Sequence, residues 1–269
     1  PSTNSPPPPP PEGFRDNFND GVLSNAWGFF NDPDFVVETN GTLRVNPYGS
    51  ETEQFGIVTS NGLPWNPSSG IVYEAQIDWI HVTQSNAAQN VDVKAMLAVV
   101  SEEESVWFAT NAAVLLAGYS SRSNELYLEF NTKTNARSSM GTTRFTGTIT
   151  NTAAYLGQGG LALRLHLDGT QYRIQAFTSQ GDPVPIAGTP ADCTGLHLLG
   201  GTMTNGHLAL GAQDWYDGIA YVYYDEVLVV ATQSISEAEP PPPPPSNVVV
   251  IGSATHARRN PVNAYYEQE

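Results

Sequence analysis

Leu161-Ala162-Leu163-Arg164-Leu165-His166-Leu167 leads into Asp168-Gly169, and Gln171-Tyr172-Arg173-Ile174-Gln175-Ala176-Phe177-Thr178 follows. Leucine recurs at every second position of the first run. That period of two is the mark of a β-strand with one face buried. Asp-Gly is a strong hairpin signal, because both residues tolerate positive φ. Two antiparallel strands are therefore predicted over 161–167 and 171–178.

Runs of the same kind extend in both directions. Ile71–Val82, Val93–Val100, Ala112–Gly118 and Glu125–Asn131 precede the hairpin, and His207–Ala212 and Ile219–Val230 follow it. Gly, Asn, Asp and Ser separate them, and no segment keeps a 3.6-residue apolar stripe. So many short strands between Glu12 and Glu239 exceed one open sheet. Two packed antiparallel sheets are the expected solution, and this length of chain can bury a sizeable core as one domain. Trp27, Trp79, Phe130 and Phe177 fit inward positions.

Composition narrows the function classes. The 269 residues carry 11 Lys+Arg against 27 Asp+Glu, a formal charge of −16. Only 14% of residues are charged, against about 25% in ordinary domains. The surface must be polar through Asn, Thr, Ser and Gln. This mix disfavours a coiled coil, a disulfide-stapled mini-protein and disorder along the whole chain. The acidic balance argues against nucleic acid as a partner. No apolar run is long enough for a membrane-spanning helix.

Proline and charge are segregated. Twelve of the 21 prolines form two runs of six, Pro6 to Pro11 and Pro240 to Pro245. Outside 12–239 the only charges are Arg258, Arg259, Glu267 and Glu269, which cancel, so the central block carries the full −16. Each hexaproline is expected as polyproline II, a stiff spacer of roughly 19 Å at about 3.1 Å per residue. The division expected is a Pro-rich arm over 1–11, a β-sandwich over 12–239, a hexaproline spacer over 240–245 and a tail over 246–269. The chain starts at Pro1 with neither Met nor an apolar leader, which reads as a processed mature chain. Two lysines, one cysteine and Ser/Thr beside proline runs suit an extracellular or cell-surface protein. Asn40-Gly41-Thr42 is an N-glycosylation acceptor pattern.

The central block resembles a known superfamily. It opens Phe14-Arg15-Asp16-Asn17-Phe18-Asn19-Asp20-Gly21, then Trp27, then Glu38-Thr39-Asn40-Gly41-Thr42-Leu43-Arg44-Val45. Later come Leu163 to Gly169, Leu208-Ala209-Leu210-Gly211 and Tyr224-Asp225-Glu226-Val227-Leu228-Val229. This order is similar to the concanavalin A-like lectin/glucanase jelly roll, the laminin-G-like superfamily. It covers nearly all of 12–230. The resemblance implies an all-β jelly-roll sandwich whose N-terminal strand lies near a C-terminal Asp-x-Val strand. It speaks for fold more than for function.

Three constellations carry candidate chemistry. Glu125-Leu126-Tyr127-Leu128-Glu129-Phe130 resembles the Glu-x-Asp-x-Glu strand of jelly-roll glucanases, which implies Glu125 as nucleophile and Glu129 as acid/base. Tyr127 stands where the family has Asp. Retaining hydrolysis needs carboxyl groups about 5–5.5 Å apart, whereas a regular strand holds i and i+4 about 13 Å apart. The plainer expectation is an outer polar face of Glu125, Tyr127 and Glu129 over an inner face of Leu126, Leu128 and Phe130. Next, Asp16, Asp20, Asp217 and Asp225 lie in terminal strands that this fold brings together, and similar jelly rolls place a structural Ca²⁺ there. Asp16 and Asp225 are the best candidate ligands, and turn capping is the alternative. Last, Trp215, Tyr216, Tyr221, Tyr223 and Tyr224 cluster near the last strands, with Trp65 and Trp107 elsewhere. Exposed rings of this kind stack on sugars, while core packing consumes others. Alternation predicts Tyr221 and Tyr223 on one face and Val222 and Tyr224 on the other.

The five histidines show no zinc spacing. Cys193 has no intrachain partner and is expected as a small buried residue. After Pro245, Val248-Val249-Val250-Ile251 is a strong strand signal. It can fold back on its own sheet, begin a further domain or add to the edge of a neighbour. Arg258 and Arg259 favour an acidic neighbour, and a head-to-tail contact of this kind builds rings or filaments. The leading expectation is thus an extracellular structural subunit that polymerises with copies of itself. The alternative is a carbohydrate-binding or adhesion module with glycans as partners. A glucanase-like hydrolase comes third.

Overall fold

The computed structural model describes residues 13–47, 54–63, 70–81, 92–120, 125–199, 203, 205–214 and 220–231. The proline runs and the tail from 246 onward lie outside the described residues, as do Asp217, Trp65, Trp215 and Tyr216. The expected assembly segment, with Pro6, Pro11, Pro240, Pro245, Val248 to Ile251, Arg258 and Arg259, therefore also lies outside them.

The described chain is almost entirely strand, broken by two short 3-10 turns. The first strands are β1 (Phe14–Asp16), β2 (Trp27–Phe30), β3 (Val36–Thr39), β4 (Thr42–Val45) and β5 (Phe55–Thr59). Then come β6 (Ile71–His81), β7 (Asp92–Val100), β8 (Ala112–Ser120), β9 (Glu125–Lys133) and β10 (Thr142–Ile149). The alternating hairpin forms β11 (Leu161–Asp168) and β12 (Gln171–Thr178). Three short strands follow, β13 (Pro183–Val184), β14 (Ala187–Thr189) and β15 (Thr194–Leu196). The last two are β16 (His207–Asp214) and β17 (Ala220–Ala231). Each strand run predicted from alternation is present, within two residues at its ends. Strands β2, β5 and β10 and the short β13 to β15 were not singled out, because each is too short or too evenly polar to show a clear period.

The strands form two antiparallel sheets. The nine-stranded sheet runs β13-β12-β11-β6-β17-β4-β3, with β1 added to β17 and β15 to β12. The eight-stranded sheet runs β14-β10-β9-β8-β7-β16-β5-β2. β1 pairs with β17 with Asp16 opposite Val227, as the resemblance implied for the terminal strands. Asn40 and Gly41 both have positive φ, 53° and 77°, and turn β3 into β4, leaving Asn40 exposed.

The inward faces of both sheets merge into one core. β11 contributes Leu161, Leu163, Leu165 and Leu167, and β9 contributes Leu126, Leu128 and Phe130. Burying each such side chain is worth roughly 1.5–3 kcal/mol. Two tyrosines tie the layers together. Tyr172 stacks on Phe130 at 4.7 Å between ring centroids and donates its hydroxyl to the Arg144 carbonyl at 2.8 Å. Tyr224 sits in β17 of one sheet, and its hydroxyl accepts from Met96 N–H of the other at 3.1 Å and reaches the Gly211 carbonyl. Trp27, Trp79 and Phe130 point inward as expected. Phe177 does not. β12 buries Tyr172, Ile174 and Ala176, so the odd-numbered Phe177 faces outward beneath the Arg164 guanidinium, 4.6 Å from its ring.

Candidate functional site

The outer face of the eight-stranded sheet has two unlike ends. Along β7 the outward residues are Lys94, Met96, Ala98 and Val100, paired across β8 with Gly118, Leu116, Val114 and Ala112. Across β9 these continue to Tyr127, Glu129, Asn131 and Lys133. At the Val100 end the apolar row is covered. The loop from Ser101 to Asn111 lays Val106 and Ala109 onto Phe30, Val58, Ala98 and Val114, with Met140 packed beside them. Lys133 pins this cover. It is buried, and its Nζ donates to the carbonyls of Trp107 and Ser139 at 3.1 and 3.0 Å. Burial lowers its pKa to about 8, with Arg137 pushing the same way and the Glu102 and Glu104 charges opposing. Gln54 adds a second tie, accepting from Trp107 N–H at 3.1 Å.

The opposite end carries polar and aromatic groups. Tyr127 is half-buried and its ring lies across Gly118, where any Cβ would strike the ring and hydroxyl. Lys94 Nζ stands 5.6 Å from the centre of that ring. Gln213 lies opposite Lys94 on β16, and Thr146 and Thr148 lie opposite Glu129 and Tyr127 on β10. Glu129 is oriented by Asn131 Nδ2 at 2.6 Å and Thr143 Oγ1 at 3.3 Å. The result is an aromatic ring flanked by donors and acceptors of both charges. Such a surface can stack an apolar ring face while bonding groups on its rim.

Glu125, Tyr127 and Glu129 form the outer face of β9 above inward Leu126, Leu128 and Phe130, as alternation predicts. The β8–β9 register is unbroken from Lys133 to Glu125, and the bulge near this strand falls in β10, between Thr143 and Phe145. Nothing in β9 shortens the regular spacing of about 13 Å between Glu125 and Glu129.

The other candidates lie elsewhere. Tyr221 and Tyr223 share the outer face of the nine-stranded sheet, 6.3 Å apart between centroids, with Arg44 over Tyr221 at 5.1 Å. Val222 and Tyr224 are buried, as predicted. Trp107 is partly exposed on the covering loop. Asp16 spends both carboxylate oxygens inside the protein, accepting from Trp27 Nε1 at 2.7 Å and Phe18 N–H at 2.9 Å. Asp225 sits at the β17 irregularity between Tyr224 and Glu226. Among the described residues no three His, Cys, Asp or Glu side chains group to hold a metal ion. Asp16 therefore acts as a turn cap and holds the Trp27 indole, the alternative role expected for it. Glu38 joins Asp16 and Asp20, a neighbour that sequence distance hides. Burial, then the Asp20 carboxyl and the Asp16 charge, push the Glu38 carboxyl up although it accepts from Gly21 N–H. Cys193 is buried.

Lys94, Gly118 and Gln213 escaped the sequence reading. Lys94 interrupts an otherwise apolar strand run, which was the one available signal.

No family profile matches the chain, and no curated protein matches it in sequence. Solved structures do. The endo-1,3-β-glucanase of Streptomyces sioyaensis superposes with a TM-score of 0.52 at 13% identity, over 85% of this chain and 100% of its own. The legume lectin-like domain of Entamoeba histolytica gives 0.51 at 7% identity, over 77% and 91%. Peanut lectin gives 0.50 at 10% identity, over 82% and 97%. The chain spans only about two fifths of Bacteroides ovatus GH43B and of the Bacillus halodurans xylan β-1,4-xylosidase, 41% and 40% of their lengths, at TM-scores of 0.46. The fold is that of the concanavalin A-like lectins and glucanases. Among the described residues no helix is long and apolar enough to cross a membrane.

Proposed function

We propose that the chain is a carbohydrate-binding or adhesion module, with the sugar seated on Tyr127 at the polar and aromatic end of the eight-stranded sheet. The observation that carries this is the Tyr127 ring laid across Gly118 beside Lys94. A pyranose offers an apolar C–H face to an aromatic ring and hydroxyls at its rim. Lys94, Gln213, Glu129, Thr146 and Thr148 supply the donors and acceptors around that ring. The lectin and glucanase neighbours support this reading as a matter of fold. The wide spacing of Glu125 and Glu129 favours binding over retaining hydrolysis. An extracellular setting, expected from composition, agrees with a glycan partner. The filament reading rests on the tails, and no described residue supports it.

Screening of the purified chain on a glycan array, followed by calorimetry on the hits, tests the proposal. Tyr127→Ala is expected to abolish binding while Tyr127→Phe retains most of it. Equal affinity of Tyr127→Ala and the parent chain overturns the assignment. Activity on β-glucans that disappears in Glu125→Gln and Glu129→Gln would establish hydrolysis instead.

A further inference from the structure

A second groove lies at the far edge of the same sheet. β2 is five strand positions from β9, roughly 24 Å at about 4.8 Å per strand. Here Phe29, Phe30 and Phe108 wall a groove of about 310 Å³, with Glu103, Glu104 and Ser105 along its floor and rim. Phe29 and Phe108 are 46% and 49% exposed, an unusual amount of bare aromatic surface to meet in one groove.

The polar floor is unsatisfied. Ser105 is only 3% exposed, yet its Oγ has no hydrogen-bond partner. Glu104 Oε2 is likewise buried without a partner. Leaving a buried acceptor unmade costs free energy, most of all for a carboxylate. Loop folding does not require either group. The Ser105 carbonyl alone closes the turn, accepting from Phe108 and Ala109 N–H at 3.1 and 2.9 Å. The loop's carboxylate hydrogen bond belongs to Glu102, which accepts from Thr110 N–H at 2.8 Å. Gly28 gives Glu103 its room, since a Cβ there would come within 2.5 Å of the carboxylate. Arg137 also lines the groove, but its Nε is directed at Thr110 Oγ1, 3.4 Å away.

We propose that this groove binds a primary ammonium group carried on a short apolar stem. A carboxylate oxygen only accepts, so the missing partner is a donor, and an ammonium also offsets the charges of Glu103 and Glu104. Its three N–H donors offer enough hydrogen bonds for both Glu104 and Ser105. The phenyl rings take the stem, and a cation near their faces gains cation–π attraction. A neutral hydroxyl supplies a donor without the charge, and so binds less well in a chain of net charge −16. The same ammonium is found on a lysine side chain and, with the C–H face of a pyranose in place of the stem, on a free amino sugar.

Titration of the ¹⁵N-labelled chain separates the two sources. The probes are Nα-acetyl-lysine amide and glucosamine, with Nα-acetyl-norleucine amide and N-acetylglucosamine as uncharged controls. A saturable shift of the Ser105 and Phe108 amides is expected with at least one amine and with neither control. Response to the lysine probe alone assigns a polypeptide partner, and response to glucosamine alone assigns an amino sugar. Glu104→Gln is expected to weaken the effective amine roughly tenfold, about 1.4 kcal/mol. Phe108→Ala, at an exposed position, checks the same loss without a change of charge. No saturable shift with either amine, equal response to the uncharged controls, or unchanged affinity in both variants overturns the proposal. The Tyr127 test reads the opposite end of the sheet, so either proposal can fail alone.

Discussion

The two outer faces of the sandwich handle burial differently. On the eight-stranded sheet the middle of the face is apolar, and the chain's own loop covers it from Val106 to Ala109. On the nine-stranded sheet the corresponding face carries a buried ion pair. Arg164 Nε donates to Glu74 Oε2 at 2.7 Å with both side chains less than a tenth exposed. Phe177 supports the guanidinium, and Arg15 pairs with Glu226 on the neighbouring strand. Val72, Leu228 and Val230 form a small apolar cluster beside them. One face is therefore covered by a loop at one end and carries polar and aromatic groups around Tyr127 at the other. The other is internally paired along most of its width. Spare recognition chemistry sits on the first.

The largest expected effect breaks the paired face. Arg164→Met leaves the Glu74 carboxylate buried and alone, and is expected to cost about 3–5 kcal/mol in urea unfolding. Glu74 already has a raised pKa, because burial outweighs the attraction of Arg164. The double variant Arg164→Met, Glu74→Leu is expected to recover most of the loss. A double variant as unstable as the single one would show that the pair is not the cause.

The covered face depends on Lys133. Lys133→Met orphans the Trp107 and Ser139 carbonyls and is expected to cost about 2–3 kcal/mol. Limited proteolysis should then cut between 101 and 111 first. Unchanged cleavage would mean that the apolar contacts alone hold the loop.

The paired face also predicts a pH dependence. Burial, with Arg173 and Arg164 adding to it against Asp168, lowers the His166 pKa to about 4. The unfolded value is about 6.5. Between those values the unfolded chain binds more protons, so stability falls as pH drops through that window. About 2 kcal/mol is expected after allowing for partial solvent screening. His166→Gln should flatten the curve of Tm against pH between about 4 and 6.5. An identical slope in the variant would assign the effect elsewhere.

The smallest effect tests the Tyr127 end. Gly118→Ala puts a methyl where the Tyr127 ring lies, with no backbone strain, since Gly118 does not have positive φ. Glycan affinity is expected to fall roughly tenfold, about 1.4 kcal/mol, with thermal stability little changed. Full affinity would show that the ring position is unimportant.

Alternation alone determined much of this molecule. Leu161 to Leu167 read plainly as a strand, and Asp168-Gly169 announced its hairpin, although packing buries both faces of that strand, with Ala162, Arg164 and His166 covered as well as the leucines. The chain order of motifs was enough to expect the lectin-like sandwich, and β9 showed its outer face before any coordinates. These are local properties, set by side-chain period and by which residues accept positive φ. Tertiary structure decided the rest, because it depends on which strands become neighbours. Tyr127 looked like a missing Asp in a catalytic strand, and only the β8 pairing shows its ring across Gly118 toward Lys94. Asp16 read as either a metal ligand or a turn cap, and only the fold brings Trp27, eleven residues on, to its carboxylate. Glu104 and Ser105 carry no signal in the sequence, and only folding buries their oxygens in the groove that Phe29 and Phe108 also line. Period fixes the face a residue points to; only packing between distant strands fixes what it meets there.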